Sequence, residues 1–520
     1  MQDRTHKSRF DEYQDSTIIN KCEQYAKWTL PYLAADVEST NSTGRVVVER
    51  DFQELGALFV NHLASKLARL LFPTQYPFFQ ASASSDFVEH ARKRGVDEAA
   101  LRGMFSRMEM ASNKRLFLNS GYAALILCLR HLIVTGNVLL YRDSEKGTLT
   151  AYGLRSFGVR RDGAGDLLDV ILQEFTVLDS LPEDVQIALR TAQPSKYMKP
   201  DTKVEKYTRI NRRYRNGTPG YEVTQEVDCI KVGTPSWYPV NMCPWMLPTW
   251  TLIPGEHYGR GHVEDFAGGF AKLSALSESA TLYGIEIMRV LNLVGTSAGS
   301  DIDNIATSDS GEWVRGDPAN IKAYESGDAQ KLRVVEAQIE GVVARLSKAF
   351  MYTGAAPRDA ERVTAYELQL AAQEAEYALG GVYSTLSGGI QVPMAHLLLV
   401  EVSDIALPGI ISGDLEPDIT AGIPALGRSS DVQNLLMATQ ELGAVLPVVQ
   451  LDNRINPKKV VDIILAGRSI DQTTLFYTPE EQQANAEAAM AEQAAQQNLA
   501  QAGTLAEQGD QLAQVLAGSQ

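Results

Sequence analysis

The sequence predicts an α+β fold that is mainly helical. Three observations lead there. Apolar residues recur at helical spacing in several long stretches, the segment from about 148 to 255 carries extended runs, turn dipeptides and prolines instead, and the residues beyond Pro479 are rich in Ala and Gln. With 520 residues, 44% of them hydrophobic and 22% charged, the chain is long enough for two or more cores.

In "LGALFVNHLASKLARLLFP" apolar residues fall at Leu55, Phe59, Leu63, Leu67 and Leu70 or Leu71, the one-face spacing of an amphipathic helix, and Pro73 stops it. "YAALILCLRHLIV", from Tyr122, is a second helix running to Gly136. At about 13 residues, with Arg130 and His131 inside, it falls short of the ~20 a bilayer needs and reads as a buried helix. "NVLLY" comes next as a buried strand. Two extended runs flank Asp162-Gly163, Asn216-Gly217 sits at a hairpin position, and prolines at 235, 239, 244, 248 and 254 exclude regular helix. Helical patterns return over Val263–Val294 and Asp328–Met351, separated by a Gly-, Ser- and Asp-rich stretch that must be loop or short strand. A break, "YTGAAPRDAE", leads into a further helix, Val363–Tyr383, closed by Gly380-Gly381.

Asp328–Met351 holds the most information. At 100° per residue from Lys331, the residues Leu332, Val335, Ile339, Val342, Val343, Leu346 and Phe350 fall within about 20° to 120°, one apolar stripe. Glu336 and Glu340 lie on one flank, and Lys331, Arg345 and Lys348 on the other. Such a helix can pair its acidic flank with the basic flank of an identical copy, a head-to-tail contact that closes into a ring if the rotation allows.

Net charge is −16, from 48 basic and 64 acidic residues, so the surface as a whole does not grip phosphates. No basic residue lies beyond Arg468, whereas seven carboxylates do, so the tail is a polar helix or disordered. Cys22, Cys128, Cys229 and Cys243 are far apart with no C-x-x-C, the pattern of reduced thiols without a zinc site. The charged N-terminus lacks the apolar stretch of a signal peptide.

Few motifs suggest chemistry. Gly295-Thr296-Ser297-Ala298-Gly299 matches the G-x-S-x-G nucleophile elbow, but the adjoining "SDIDNIATSDSG" has no helical period, and the only downstream histidine, His396, sits in an apolar run. No phosphate-binding G-x-x-x-x-G-K-[ST] occurs. His257 and His262 are five apart among glycines, a spacing that fixes no metal geometry, and read as loop or helix-start histidines. "KVEKYTRINRRYR" (Lys203–Arg215) mixes basic and aromatic residues as a nucleic-acid surface does. Beside a hairpin turn it reads as a solvated strand face. No catalytic residue, cofactor site or metal site is expected.

Five stretches, "NHLASKLARLLFPTQ", "TGNVLLY", "GEHYGRGHVEDF", "ERVTAYELQLAAQEAEYALGGVYSTLS" and "TAGIPALGR", in this order and within residues 20 to 480, resemble the portal (head-to-tail connector) proteins of short-tailed, podovirus-type bacteriophages. Gly268-Gly269, inside a helix that this family fills with better helix formers, departs from the pattern, as do both tails.

The resemblance implies a portal-like fold with these parts: a wing over 1–260, including the β-rich 148–255; a first stem helix over 261–294; a clip over 295–327; and a second stem helix over 328–351. A tunnel loop over 352–362, a long bracing helix over 363–400, a helical crown over 401–478 and a tail or barrel helix over 479–520 complete it. It implies a ring, a dodecamer, at one capsid vertex. Double-stranded DNA would thread the ring without sequence preference, past Arg345, Lys348, Arg358 and Arg362 at the tunnel loop. Trp313, Val314 and Arg315 in the clip would contact a neighbouring subunit or the tail adaptor. Implied partners are capsid and scaffolding proteins, the terminase large subunit that drives packaging, the tail adaptor and internal core proteins, with no stable membrane contact. The implied location is the virion, after assembly in the host cytoplasm. A capsid-associated protein without a channel, or a hydrolase using Ser297, are the other readings of the residues.

Overall fold

The computed structural model describes residues 5–35, 48–49, 51–74, 77–83, 87, 89, 93, 98–287, 290–294, 307, 321–325, 329–352, 381–402 and 415–419. The chain divides into residues 1–425 and 426–520, and every described residue lies in the first of these.

The chain begins with two short helices, α1 (His6–Tyr13) and α2 (Ser16–Trp28). The carboxylate of Asp15 accepts from the amides of Thr17 and Ile18, satisfying donors that the first turn of α2 leaves open. Helix α3 (Leu55–Leu71) buries Phe59, Val60, Leu63, Ala64, Leu67, Ala68, Leu70 and Leu71, so the stripe expected there is the centre of the core. Gly56 is required at its start: a Cβ would stand 2.1 Å from the carbonyl oxygen of Trp28. Strand β1 (Phe79–Ala83) and helix α4 (Glu98–Phe117) come next, the carboxylate of Glu109 accepting from the amide of Ala81. Asn119 and Ser120, at φ 54° and 63°, break the path before α5 (Gly121–Thr135), which Gly136 terminates at φ 75°.

Two sheets build the β-rich part. Strands β2 (Leu139–Asp143) and β3 (Thr148–Tyr152) form a hairpin, and β9 (Trp245–Met246) later joins β2 from its other side. Between them runs an antiparallel meander, β4 (Phe157–Arg161), β5 (Leu167–Val177), β6 (Lys203–Arg215), β7 (Thr218–Val227) and β8 (Ile230–Pro239), with helix α6 (Glu183–Ala192) inserted after β5. Asn216 and Gly217, at φ 53° and 81°, make the expected two-residue turn. Asp228 and Cys229, at 48° and 67°, make a second one that composition does not announce. Pro235 and Pro239 sit on β8, the edge strand, where a missing amide costs least. One face of the meander buries Phe157, Val159, Val170, Leu172 and Ile210, and the other receives α1, whose Phe10 packs edge-on against Tyr207.

The expected first long helix differs. Helix α7 (His262–Asp265) ends at Phe266, α8 (Ala267–Ile287) ends seven residues before Val294, and Val290–Val294 is strand β10, paired antiparallel with β11 (Ile321–Glu325). An apolar run such as "VLNLV" fits either state by periodicity, and the available pairing partner decides it. Gly268-Gly269 does not break α8. It lies inside the helix, and Gly269 admits the crossing of α9 (Ala329–Ala349), since a Cβ there would stand 3.1 Å from Leu346. The stripe of α9 is borne out: Val342, Leu346 and Phe350 are buried and Leu332, Val335, Ile339 and Val343 half-buried, while both charged flanks are exposed.

Of the bracing helix expected over 363–400, residues 363–380 lie outside the described residues. Gly381 stands at φ 90°, and helix α10 (Val382–Leu386) begins after it. A wide π turn over Ser387–Gln391 leads into α11 (Val392–Val402). Pro393, lacking an amide hydrogen and crowding the carbonyl of Gly389, accounts for that wide turn. Past residue 400 the chain still meets the elements before it: the side chain of Glu401 is buried against β2, and β12 (Leu415–Ile419) pairs antiparallel with β1.

Two stretches, Gly103–Thr135 taken across its break and Val382–Val402, are long and apolar enough to cross a membrane by length and composition. Leu125, Leu129, Leu132, Leu386, Met394 and Leu398 from them lie in the main core.

Arg142 grips Glu401 through two bonds of 2.8 Å and reaches the carbonyl of Gly147 at 3.1 Å, and both side chains are almost wholly buried. Removing one partner strands a buried charge. Glu401→Gln is expected to lower the unfolding free energy by about 3 kcal/mol, seen as a lower urea midpoint at unchanged slope. An unchanged midpoint would mean that the pair contributes nothing net.

Candidate functional site at the base of the helix pair

Helices α8 and α9 leave the body together and pack on each other. Between Leu273 and Val342 none of their described residues is buried, so the body holds them only at the base. There the ring of Phe350 lies 5.9 Å from Phe59 of α3, nearly parallel to it, and meets His262, Phe266 and Phe270 at 4.8, 6.0 and 5.5 Å at steep angles. Trp250 closes the cluster from the proline-rich segment, 5.3 Å from His262. Offset and edge-on pairs of this kind add about 0.5–1.5 kcal/mol each beyond the area they bury.

The end of α9 is shaped by backbone bonds. The amide of Met351 donates to the carbonyl of Lys348 at 3.2 Å, and that of Tyr352 to the carbonyl of Ser347 at 2.7 Å. With Met351 at φ 52° this is a Schellman motif carrying methionine where glycine is usual. His262 donates from Nε2 to the carbonyl of Ala349 at 3.1 Å. His62 stands edge-on to Tyr352 at 5.3 Å, with the backbone carbonyl of Met351 nearby. Burial holds both imidazoles below their ordinary pKa, against the pull of these carbonyls.

Of the expected channel residues, Arg345 and Lys348 are exposed on α9, within its last two turns, and neither forms an ion pair among the described residues. Arg358 and Arg362 of the expected tunnel loop, and Trp313, Val314 and Arg315 of the expected clip, lie outside the described residues. So does Ser297. The strand before it belongs to a two-stranded antiparallel ribbon, not to the α/β sheet on which a nucleophile elbow stands.

His257 and His262 serve different ends. His262 opens α7 inside the aromatic cluster, whereas Nδ1 of His257 accepts from the amide of Arg161 at 3.2 Å. Among the described residues no three His, Cys, Asp or Glu side chains group as a metal site. The four cysteines are unpaired, and burial pushes the thiols of Cys22 and Cys243 up to about 12.

The basic strand 203–215 is largely neutralised by its neighbours. Arg209 pairs with Asp169 at 2.6 Å, Arg212 with Asp166 at 2.9 Å and Lys206 with Glu174 at 3.2 Å. Its tip, with Arg213, Tyr214 and Arg215, stands well exposed. This is the solvated strand face expected from the alternation, held together by cross-strand charge pairs.

Periodicity points to Phe350 through the stripe but not to Trp250 or His62. His62 lies off the apolar stripe of α3, and Trp250 stands in "LPTWTLIPG", which has no period to read.

The family described as bacteriophage head to tail connecting protein matches residues 5–475. The portal protein of Pseudomonas phage phiKMV is 41% identical over 509 residues, covering 98% of each chain. That of Enterobacteria phage SP6 is 32% identical over 420 residues, 81% of this chain and 79% of the other, and that of Escherichia phage T7 is 29% identical over 473 residues, 90% and 86%. Among solved structures, a chain in the virion of a native gene transfer agent particle aligns at 12% identity over 74% of this chain and 85% of that one, with a TM-score of 0.34, too slight a likeness to argue from. Identity that runs through nearly the whole length, together with a family match spanning both the β-rich body and the helix pair, leaves one conclusion: the chain belongs to the head-to-tail connecting, or portal, proteins of podovirus-type bacteriophages and takes its place in the virion at the junction of head and tail.

Proposed function

We propose that copies of this chain, twelve by analogy with the family, close into a ring at one capsid vertex through which double-stranded DNA passes during packaging and ejection. In this reading α8 and α9 are the stem, residues 295–320 with the ribbon β10–β11 are the clip, residues 353–362 are the loop at the constriction, and the five-stranded meander belongs to the wing. The packaging motor, and later the tail adaptor, dock on the clip, while capsid, scaffolding and internal core proteins meet other faces.

One observation carries the reading. On α8, Leu282 and Ile285 are 55% and 58% exposed, on the side turned away from buried Leu273, and Val334 of α9 is 59% exposed. Three large apolar side chains on a two-helix projection attached only at its base need a cover. The charged flanks of α9, acidic on one side and basic on the other, fit a neighbouring copy approaching side by side.

Negative-stain images of the purified chain are expected to show closed rings with a central hole. Leu282→Asp with Ile285→Asp is expected to abolish them, since each apolar side chain loses about 1.5–3 kcal/mol of burial, while the thermal midpoint of the subunit stays unchanged. Rings that persist in this variant would place the contact elsewhere.

Arg358→Glu with Arg362→Glu is expected to leave rings intact and to impair DNA packaging or retention. Packaging at the normal level would remove these residues from the channel.

Trp313→Ala is expected to weaken ring assembly or adaptor binding by about 2 kcal/mol or more without unfolding the body, measured by co-sedimentation beside thermal unfolding. If both contacts survive, Trp313 is not an anchor, and if the subunit unfolds, it belongs to a core.

A further inference from the structure

Helix α4 reverses the usual distribution of a surface helix. The side it packs on α5, α11 and β1 holds polar residues among the apolar ones. The carboxylate of Glu109 accepts from the amide of Ala81 at 2.8 Å, the hydroxyl of Ser112 donates to the carbonyl of Leu398 at 3.4 Å, and Asn113 is buried beside them. The side turned to solvent carries Met104 and Met110, and Leu118 stands exposed just past the end of the helix, with Met110 64% and Leu118 46% exposed. A surface helix ordinarily buries an apolar stripe and shows a polar one to water, and a helix that is apolar on its outer side as well needs a cover there.

The exposed residues of α4 line up. With Gly103 at zero and 100° per residue, Met110, Lys114, Arg107, Ala111 and Met104 fall within about −20° to 100°, one ridge that runs about 17 Å from Gly103 to Lys114. Gly103 and Ala111 leave gaps in it about two turns apart, and nothing stands within 4 Å of where a Cβ on Gly103 would be. Arg107 and Lys114 place two cations on the ridge, also about two turns apart. Neither forms an ion pair among the described residues; Nε of Arg107 donates only to the carbonyl of Gly103 at 3.2 Å. No carboxylate lies on the ridge, although the chain as a whole carries a net charge of −16.

Each feature constrains what covers this side. Leucine and two methionines, whose unbranched side chains adapt to the shape they meet, call for an apolar surface. Cations without partners among them call for carboxylates. Gaps at two-turn spacing admit the side chains of a second helix, because the ridges of one helix pack into the grooves of another, and such gaps bring no gain against a lipid surface. We propose that residues 103–118 are a docking surface for an amphipathic helix of another protein, one whose apolar stripe is bordered by carboxylates that meet Arg107 and Lys114. The surface lies on a different element from the helix pair that carries the proposed ring contact, so the inference does not rest on that reading.

The test uses the full chain and a fluorescent synthetic peptide of about 20 residues, helical by design, with Leu and Ala along one stripe and Glu on both borders. A second peptide has Lys in place of every Glu. By fluorescence anisotropy the Glu peptide should bind and the Lys peptide should not. Met110→Ser with Leu118→Ser should weaken binding of the Glu peptide about tenfold or more, with the thermal midpoint and the assembly state of the native chain retained. Arg107→Glu with Lys114→Glu should reverse the preference, so that the Lys peptide binds better. Failure of the Glu peptide to bind, equal binding of both peptides, or a preference that charge reversal leaves untouched would overturn the proposal. So would a changed assembly state in the Met110→Ser, Leu118→Ser variant, which would make the ridge a contact between copies. Flotation of the native chain with phosphatidylglycerol vesicles, lost on the same substitutions and without binding of the Glu peptide, would make it a lipid surface instead. If Met110→Ser with Leu118→Ser lowers the thermal midpoint, the charge reversal, which alters exposed side chains alone, decides.

Discussion

Helix α3 is the element on which the rest depends. It is buried along most of one face, its Phe59 stacks on the residue that ends α9, its His62 meets Tyr352 edge-on, and its last carbonyls accept from Tyr383 and Gln391. Two helices that pack only on each other and join the body at one end behave as a lever. Whatever acts at their far end is transmitted through Phe350, and Phe350 bears on α3 and on the aromatic rings of α7 and α8. Interiors packed at crystal density transmit such displacement and do not absorb it, so an aromatic cluster suits this joint better than a flexible aliphatic one.

A joint is useful only against a stiff support. Support comes from contacts of very large sequence separation. Arg142 in the small sheet holds Glu401 at the end of α11, and β1 pairs with β12. Both closures use segments that come after the helix pair to complete the body that precedes it. The pair is therefore an excursion from one folded unit and not a link between two. Loops and projections can vary in such an arrangement without disturbing the core, because the stabilising contacts bridge across their base.

Much of this was readable in the residues, and where reading stopped the reason is physical. The stripe of α9, the burial of α3 and α5, and the Asn216-Gly217 hairpin arise from local periodicity and turn chemistry, which need no partner. The end of α8 at Ile287 was not readable, because "VLNLV" suits helix and strand alike and the decision belongs to Ile321–Glu325. The left-handed turn before α10 was half visible. Two adjacent glycines marked a weak point, and the backbone at Gly381 turns left-handed. The pairing between residues 79–83 and 415–419 was not readable either, because it leaves no trace in either stretch alone. At the base of the helix pair, Phe350 was visible as the last residue of a stripe, whereas His62 stands off the stripe of α3 and meets Tyr352 only in the folded chain.

Charge placement bears on the proposed conduit. An acidic chain still carries 48 basic residues, and each one free near a polyanion would add sequence-independent affinity that movement must break. The structure disposes of the densest basic stretch, strand β6, by setting carboxylates opposite it on β5 and on the turn before that strand. These pairs are partly shielded, and opposite charges facing each other across strands also fix register, so the basic residues of β6 hold the sheet. Arg345 and Lys348, basic and exposed, sit within the last two turns of α9. In the proposed channel, a few long, solvated cations there would exchange phosphates one after another without any of them binding firmly, which suits a passage for DNA and not a binding site for it.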